Sequence, residues 1–330
     1  MRIIFYSAEI YDKEVFTKVN EKFGYDIEFY ECCLDRKTAA KARDFDVVCA
    51  FVNDKLDEKV LTILSSFGIQ LVAMRCAGYD NVNTEIANEL GIRIVRVPDY
   101  SPYAVAEHGA ALLLALIRKL PQACARAKNM NFELGGLVGR ELHGLTAGIL
   151  GTGKIGQIMA SILRGFGMNI IAHDIIEDTK WAKENDVKYV DLEDLWQKSD
   201  VISIHCPLTV ETRHIVGHAA IRSMKNNAII VNVSRGALID SKALLHALKD
   251  GQIGGAALDV YEGEKEYFFK DWSTKIVEDD TLSRLMTLPN VIMTGHQAFL
   301  TDNALMNIAN TTLENIKGFE NGSELQNEVS

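Results

Sequence analysis

Proline is sparse, with 5 residues in a chain of 330, and no stretch rich in Pro, Gly and Ser interrupts the sequence. A flexible linker is therefore not expected, and two domains would have to join directly, through helices or short crossings. Long apolar runs are missing too. Spanning a bilayer takes roughly 20 residues, and the most apolar run, Gly109–Ile117, is closed off by His108 and Arg118. The N-terminus carries Glu9 and has no small-residue cleavage site, so it reads as a first β-strand rather than a secretion signal. Positive charge is in deficit: 35 Lys+Arg stand against 45 Asp+Glu, a formal net charge of −10. A phosphate backbone or an acidic membrane surface would want the opposite sign, so neither nucleic acid nor membrane is expected as a partner. The six cysteines, at 32, 33, 49, 76, 124 and 206, form no C-x-x-C and no Cys/His grouping with zinc spacing. No metal site is expected, and a reduced, cytoplasmic protein is the simplest reading.

What is present is ordinary for a globular chain: 48% hydrophobic and 24% charged residues. The length suits two domains at about 100–200 residues each. Short apolar runs at Ile3–Tyr6, Asp46–Phe51, Gln70–Met74 and Ile92–Val97 read as strands, and Glu14–Phe23 and Asp57–Phe67 read as helices between them. Ser101-Pro102 opens a long helix running to about Leu120, apolar all round its middle. A second series of strand candidates follows: Ala147–Leu150, Ile170–His173, Val201–His205, Ile229–Val233, Gly255–Val260 and Val291–Thr294. The tail, Thr301–Phe319, has helical apolar spacing at Leu305, Ile308, Leu313 and Ile316. This rhythm predicts an α/β chain with two doubly wound parallel-sheet domains, the second larger.

Between the first two strands of the second series lies Gly151-Thr-Gly153-Lys154-Ile155-Gly156, a G-x-G-x-x-G that follows a strand and opens a helix. Gly151 permits the tight turn, Gly153 lets a pyrophosphate approach the backbone, and Gly156 lets helix and strand pack closely. Amides at the helix start would bind phosphate. The next strand is followed by Asp174, whose carboxylate suits a ribose diol and repels a 2′-phosphate, favouring NAD over NADP.

Reduction of a ketone by a nicotinamide needs a proton donor for the carbonyl oxygen and a fixed cation for the developing charge and any substrate carboxylate. A carboxylate beside an imidazole supports the charged ring. Three segments after strand ends supply these types: Val233-Ser234-Arg235-Gly236, Asp259-Val-Tyr-Glu262-Gly-Glu264 and Thr294-Gly-His296-Gln. In an open α/β sheet such ends converge on the ligand. Glu262 and Glu266 compete with Glu264 for the acid's role. Among the other seven histidines His205 is the strongest rival to His296, while His108, inside the long helix, reads as an interdomain hydrogen-bonding residue.

At this point the chain resembles the D-isomer-specific 2-hydroxyacid dehydrogenase family. The resemblance rests on the glycine loop, on Asp200-Val-Ile-Ser-Ile-His-Cys-Pro-Leu-Thr209, on Met224-Lys-Asn-Asn-Ala-Ile-Ile-Val-Asn-Val-Ser-Arg-Gly-Ala-Leu-Ile-Asp240 and on Gly295-His296. It covers essentially the whole chain. Arg75-Cys-Ala-Gly78-Tyr-Asp-Asn-Val82, Val97-Pro-Asp-Tyr-Ser-Pro102 and Gly295-His-Gln-Ala-Phe299-Leu-Thr look most like its D-lactate dehydrogenase branch.

The resemblance implies a flavodoxin-like substrate domain, 1–99 plus 299–330, and a Rossmann NAD-binding domain, 100–298. It implies NAD as cofactor, pyruvate and D-lactate as the substrate pair, and a homodimer or homotetramer. His296 would be the acid/base, Glu264 its partner, and Arg235 the residue that binds the substrate carboxylate. Cys76, Ala77, Gly78 and Tyr79 would offer backbone amides to that carboxylate, with Tyr100 and Phe299 lining the pocket. Besides Gly151, Gly153, Lys154, Ile155, Gly156 and Asp174, the cofactor would meet His205, Cys206, Pro207, Thr212, Val233, Ser234 and Asp259. Two alternatives stay open: a relative acting on 2-ketoisocaproate, hydroxypyruvate or glyoxylate, and a non-enzymatic NAD-sensing protein on the same fold. The charged, aromatic segment 265–280 reads equally as a surface insertion, a cover for the active site or a subunit contact.

Overall fold

The structure, a computed structural model, describes residues 1–329. Two compact units divide the chain: Met1–Ser101 with the tail from Leu300, and Pro102–Phe299. The first unit opens with β1 (Arg2–Phe5), α1 (Ile10–Asn20), β2 (Asp26–Phe29), β3 (Val47–Ala50), α2 (Glu58–Ser66), β4 (Leu71–Met74), α3 (Thr84–Glu89) and β5 (Arg93–Val95). The second unit begins with α4 (Pro102–Ile117) and α5 (Leu120–Lys128), then β6 (Thr146–Leu150), α6 (Lys154–Gly165), β7 (Asn169–His173), α7 (Thr179–Glu184) and β8 (Lys188–Tyr189). It continues through α8 (Leu192–Lys198), β9 (Val201–Ile204), α9 (His218–Ser223), β10 (Ile229–Asn232), α10 (Ser241–Lys249) and β11 (Gly255–Leu258). It closes with α11 (Glu264–Tyr267), α12 (Asp280–Thr287) and β12 (Val291–Met293), and α13 (Asp302–Glu320) and β13 (Glu328–Val329) return to the first unit.

The first sheet runs β13-β5-β4-β3-β1-β2, parallel throughout except for β13 on β5. β3 and β4 are buried at every residue, as strands covered on both faces must be, and they read as unbroken apolar runs for that reason. The second sheet runs β12-β11-β10-β9-β6-β7-β8 and is wholly parallel. Its strand order reverses between β6 and β9, the place where such sheets hold ligands.

Several boundaries differ from the sequence pattern. α1 starts at Ile10 rather than Glu14, because Glu9 and Asp12 form a reciprocal capping box ahead of the apolar spacing. β2 is half-exposed and carries Asp26 and Glu28, so it offers no apolar run to detect. The long helix stops at Ile117, short of Leu120. Lys119 takes a left-handed backbone, φ 53°, and caps a separate α5. The carbonyl of Ile117 instead accepts from Arg140 N at 3.1 Å. The tail helix matches its pattern: Leu305, Ile308, Leu313 and Ile316 are all buried, against α1 and β4.

Candidate active site

The glycine loop joins β6 to α6 across the switch point. Gly151 has φ 94°, and a Cβ there would lie 2.6 Å from Cys206 N, so only glycine lets this turn meet the end of β9. A Cβ on Gly156 would fall 2.0 Å from the Gly151 carbonyl oxygen, which ties helix to turn. Gly153 caps α6 without any side-chain cap, is exposed, and faces open space. Lys154 and Ile155 follow on the first turn. The helix start is left without a side-chain cap and with open space over Gly153, the arrangement of donors that suits an anionic group.

Asp174 lies beside that loop. Its Oδ2 accepts from Thr152 N at 2.5 Å and Thr152 Oγ1 at 3.0 Å, and its Oδ1 from Ile176 N at 3.2 Å. Burial alone would raise this carboxyl, but these donors outweigh it and hold it below the usual carboxylate range. The acid beside the glycine loop is therefore held ionised. Opposite, the loop after β9 is stapled by Thr212, whose Oγ1 donates to Pro207 O at 2.7 Å. Cys206 is buried and its thiol is pushed up to about 11, which makes it an apolar wall rather than a nucleophile. His205 is half-buried with Nε2 2.8 Å from Ser203 Oγ, and burial lowers it to about 4, so it is neutral and no proton donor.

His296 and Glu264 meet in the same unit: Nδ1 lies 2.8 Å from Oε1, each side chain 18% exposed. The other Glu264 oxygen accepts from Tyr261 N at 2.9 Å. Glu262 faces elsewhere, accepting from Arg213 at 3.0 Å and lying 2.6 Å from His214 Nε2, and Glu266 is exposed; neither competes for His296. Asp259 is fully buried and organises the histidine's loop. Its Oδ1 accepts from Thr294 Oγ1 at 2.5 Å and Gln297 N at 2.9 Å, its Oδ2 from Ala298 N at 2.8 Å, and its carbonyl from His296 N at 2.7 Å. Burial would raise the Asp259 carboxyl, yet the bonds from His108, Thr294, Gln297 and Ala298 hold it low. His108 lies 3.1 Å from Thr294 Oγ1 and 3.3 Å from Asp259 Oδ1, both partners in its own unit.

Arg235 follows β10 on a loop held from below. Buried Asn232 donates to Arg235 O at 2.9 Å and accepts from Ser234 N at 3.0 Å, while Ser234 Oγ donates to Cys206 O at 2.9 Å. Val233 is buried under the same loop. A Cβ on Gly236 would lie 2.0 Å from the Tyr261 carbonyl carbon, so the arginine's loop rests directly on the loop that ends at Glu264. The loops carrying the cation, the acid and the histidine are thus joined through backbone contacts. Phe299, the last residue of this unit in sequence, is buried.

In the first unit, Cys76, Ala77, Gly78 and Tyr79 follow β4. Cys76 Sγ donates to Gly78 O at 3.2 Å, Arg96 donates to Ala77 O at 2.8 Å, and the Arg96 guanidinium lies 5.1 Å from the Tyr79 ring centroid. Tyr100 is half-buried and its carbonyl accepts from Asn307 Nδ2 at 2.7 Å.

Residues 110–298 match the family model described as D-isomer specific 2-hydroxyacid dehydrogenase, NAD binding domain. The chain is 47% identical to the D-lactate dehydrogenase of Escherichia coli (strain K12) over 329 residues, all of either chain. The chain belongs to the D-isomer specific 2-hydroxyacid dehydrogenase family. Among solved structures it is similar to the apo-structure of the Escherichia coli D-lactate dehydrogenase, with a TM-score of 0.91, 46% identity and full coverage of both chains. It is also similar to the pyruvate reductase of Chlamydomonas reinhardtii, with a TM-score of 0.93, 42% identity, and coverage of 99% of this chain and 98% of that one.

Within this family member, the supporting residues were the ones sequence reasoning missed. Asn232 and Thr294 give no signal beyond lying at the ends of apolar strands. Arg75 is fully buried before the Cys76 loop, sandwiched by Phe5 at 4.3 Å and Phe51 at 4.6 Å, with Nη2 donating to Ser7 O at 2.6 Å. Its place at the head of the Arg75–Val82 motif flagged it, but not its burial between two rings after β4. Among the described residues no group of three or more His, Cys, Asp or Glu can hold a metal, and no helix is long and apolar enough to cross a membrane. None of the six cysteines is in a disulfide.

Proposed function

We propose that this chain is an NAD-dependent D-lactate dehydrogenase that reduces pyruvate to D-lactate. The observation that carries the reading is the His296–Glu264 pair, 2.8 Å apart, on loops joined to that of Arg235 in the unit that carries the glycine loop. Bound NADH would supply the hydride. The α6 amides beside Gly153 would hold its pyrophosphate, Asp174 its ribose, and the loops at Cys206–Pro207 and Val233–Ser234 would border its nicotinamide end. With Nδ1 engaged by Glu264, Nε2 of His296 delivers the proton to the carbonyl oxygen, and the carboxylate steadies the imidazolium. Arg235 holds the substrate carboxylate with its planar fork and polarises the carbonyl. Cys76 to Tyr79, Tyr100 and Phe299 are the remaining candidate substrate contacts.

We further propose a cytoplasmic homo-oligomer, dimer or tetramer. Met130, Phe132, Leu134 and Val138 are between 69% and 85% exposed on one stretch of chain after α5, an apolar display suited to a second copy. Sedimentation velocity would read a single monomeric boundary if that is wrong. The activity is tested by a panel of 2-keto acids, pyruvate first, offered with NADH and with NADPH, and by the chirality of the product. Pyruvate with NADH should give the highest kcat/KM and the D-isomer. A preference for a bulkier acid would move the reading to another member of the family, and no turnover with any acid would favour a non-enzymatic NAD sensor.

A further inference from the structure

The segment 265–280 is held down along its length. Phe268 N donates to Glu264 O at 2.8 Å, the Tyr267 and Trp272 rings lie 5.2 Å apart, and Tyr261 Oη donates to Asp279 Oδ2 at 2.7 Å. Tyr267, Phe268 and Val277 pack on the hydrophobic core of the unit. Lys275 sits over Trp272, 5.6 Å from its centroid. Between these anchors, Phe269 brings its ring to 5.9 Å from that of His296, tilted by 37°. The ring is half-buried, like the imidazole.

Both partners sit in left-handed backbone, Phe269 at φ 61° and His296 at φ 57°. Bulky side chains rarely adopt that conformation, and they keep it only where the surroundings enforce it. Here two such residues face one another. The Glu264 bond fixes one edge of the imidazole, but a single hydrogen bond leaves the ring able to rock about it. A phenyl ring packed alongside removes that freedom and displaces water from the histidine–carboxylate pair, where water would weaken their attraction.

We propose that Phe269 is a positioning residue for the proton donor, bracing the His296 imidazole so that Nε2 stays aimed at the carbonyl oxygen. This rests on the reading of His296 as that donor. The test uses the full-length chain with NADH and pyruvate, and variants Phe269→Ala, Phe269→Leu and His296→Gln. Misplacing a reacting group by an ångström costs up to about a hundredfold, so Phe269→Ala should lose between tenfold and a hundredfold in kcat. Its KM for pyruvate should change less than kcat, and its NADH affinity, read by fluorescence titration, should be unchanged. Phe269→Leu, which refills most of the volume, should recover most of the rate. Wild-type kcat in Phe269→Ala, a Leu variant as damaged as the Ala variant, or a loss confined to KM or NADH affinity would each overturn the proposal. If the alanine variant does not fold, Phe269→Val takes its place with the same outcomes. Wild-type turnover in His296→Gln would overturn the donor assignment and this proposal together. An inactive His296→Gln beside a fully active Phe269→Ala would overturn this proposal alone.

Discussion

Nδ1 of His296 lies 2.8 Å from Oε1 of Glu264, and Glu264 Oε2 is itself held by the Tyr261 amide at 2.9 Å. The carboxylate is therefore fixed before it fixes the ring, and the proposed proton transfer would use Nε2. His296→Gln keeps a polar side chain of similar reach but removes the transferable proton. Its kcat should fall by about 10²–10⁴ while NADH binding, measured by fluorescence titration, persists. Wild-type turnover in that variant would remove the donor assignment.

Arg235 is the second test of the same site. Its loop is set by buried Asn232 and by the contact of Gly236 with Tyr261, so a lysine at 235 would leave the backbone in place. An ammonium is a point charge and does not reproduce two parallel bonds to a carboxylate. Losing a charged hydrogen bond costs about 1.5–3 kcal/mol, so Arg235→Lys should reduce kcat/KM for pyruvate by roughly tenfold to a hundredfold. Steady-state kinetics that match wild type would place the substrate carboxylate elsewhere.

The three side chains at issue were legible because each follows an apolar strand, and strand ends in a parallel sheet point one way. The glycine loop was legible for a similar reason: its spacing encodes close approaches that only glycine allows. What supports them was less visible. Asp259 stood out as a cofactor neighbour, but its bonds to Thr294, Gln297 and Ala298 join segments far apart in sequence, and no local pattern records a partner 35 residues away, as for Thr294 and Asp259. Asn232 acts on its near neighbours Ser234 and Arg235 from the end of an apolar strand, where its type gives no signal. Phe269 was hidden within a charged stretch whose periodicity says nothing of where its one ring against His296 is sent. β2 escaped notice because half-exposed strands carry charge, and α4 read too long because its end is set by the φ of 53° at Lys119 rather than by composition.

The glycines of the loop separate folding from binding. A Cβ on Gly151 or Gly156 would meet backbone at 2.6 Å or 2.0 Å, with nowhere to move. Gly151→Ala and Gly156→Ala should each destabilise the unit by about 1–3 kcal/mol or more, seen as a lower urea midpoint. Gly153 has nothing within 4 Å of its would-be Cβ. Gly153→Ala should melt like wild type yet bind NADH more weakly, because the methyl enters the space a pyrophosphate would take. A Gly153→Ala chain with undiminished NADH affinity would place the phosphates elsewhere on the loop.

His205 makes a prediction about pH. It sits half-buried with Nε2 2.8 Å from Ser203 Oγ, and burial lowers it to about 4 in the folded chain, against about 6.5 for an unfolded histidine. Between those values the unfolded chain takes up a proton that the folded chain refuses. Stability therefore rises with pH across this window: His205's share is complete above about 6.5 and is lost as pH falls towards 4, amounting to about 3 kcal/mol at most. The carboxylates held low, Asp174 and Asp259, keep their share of stability down to the ordinary carboxylate range and lose it from there downward, below most of this window. His205→Gln still offers Ser203 a hydrogen-bonding partner but takes up no proton when it unfolds. Urea unfolding followed from neutral pH down to about 4.5 should show a steeper loss of stability in wild type than in the variant. Parallel curves would mean that the folded chain protonates His205 as readily as the unfolded one, and the imidazole would then be solvated rather than enclosed at the end of β9.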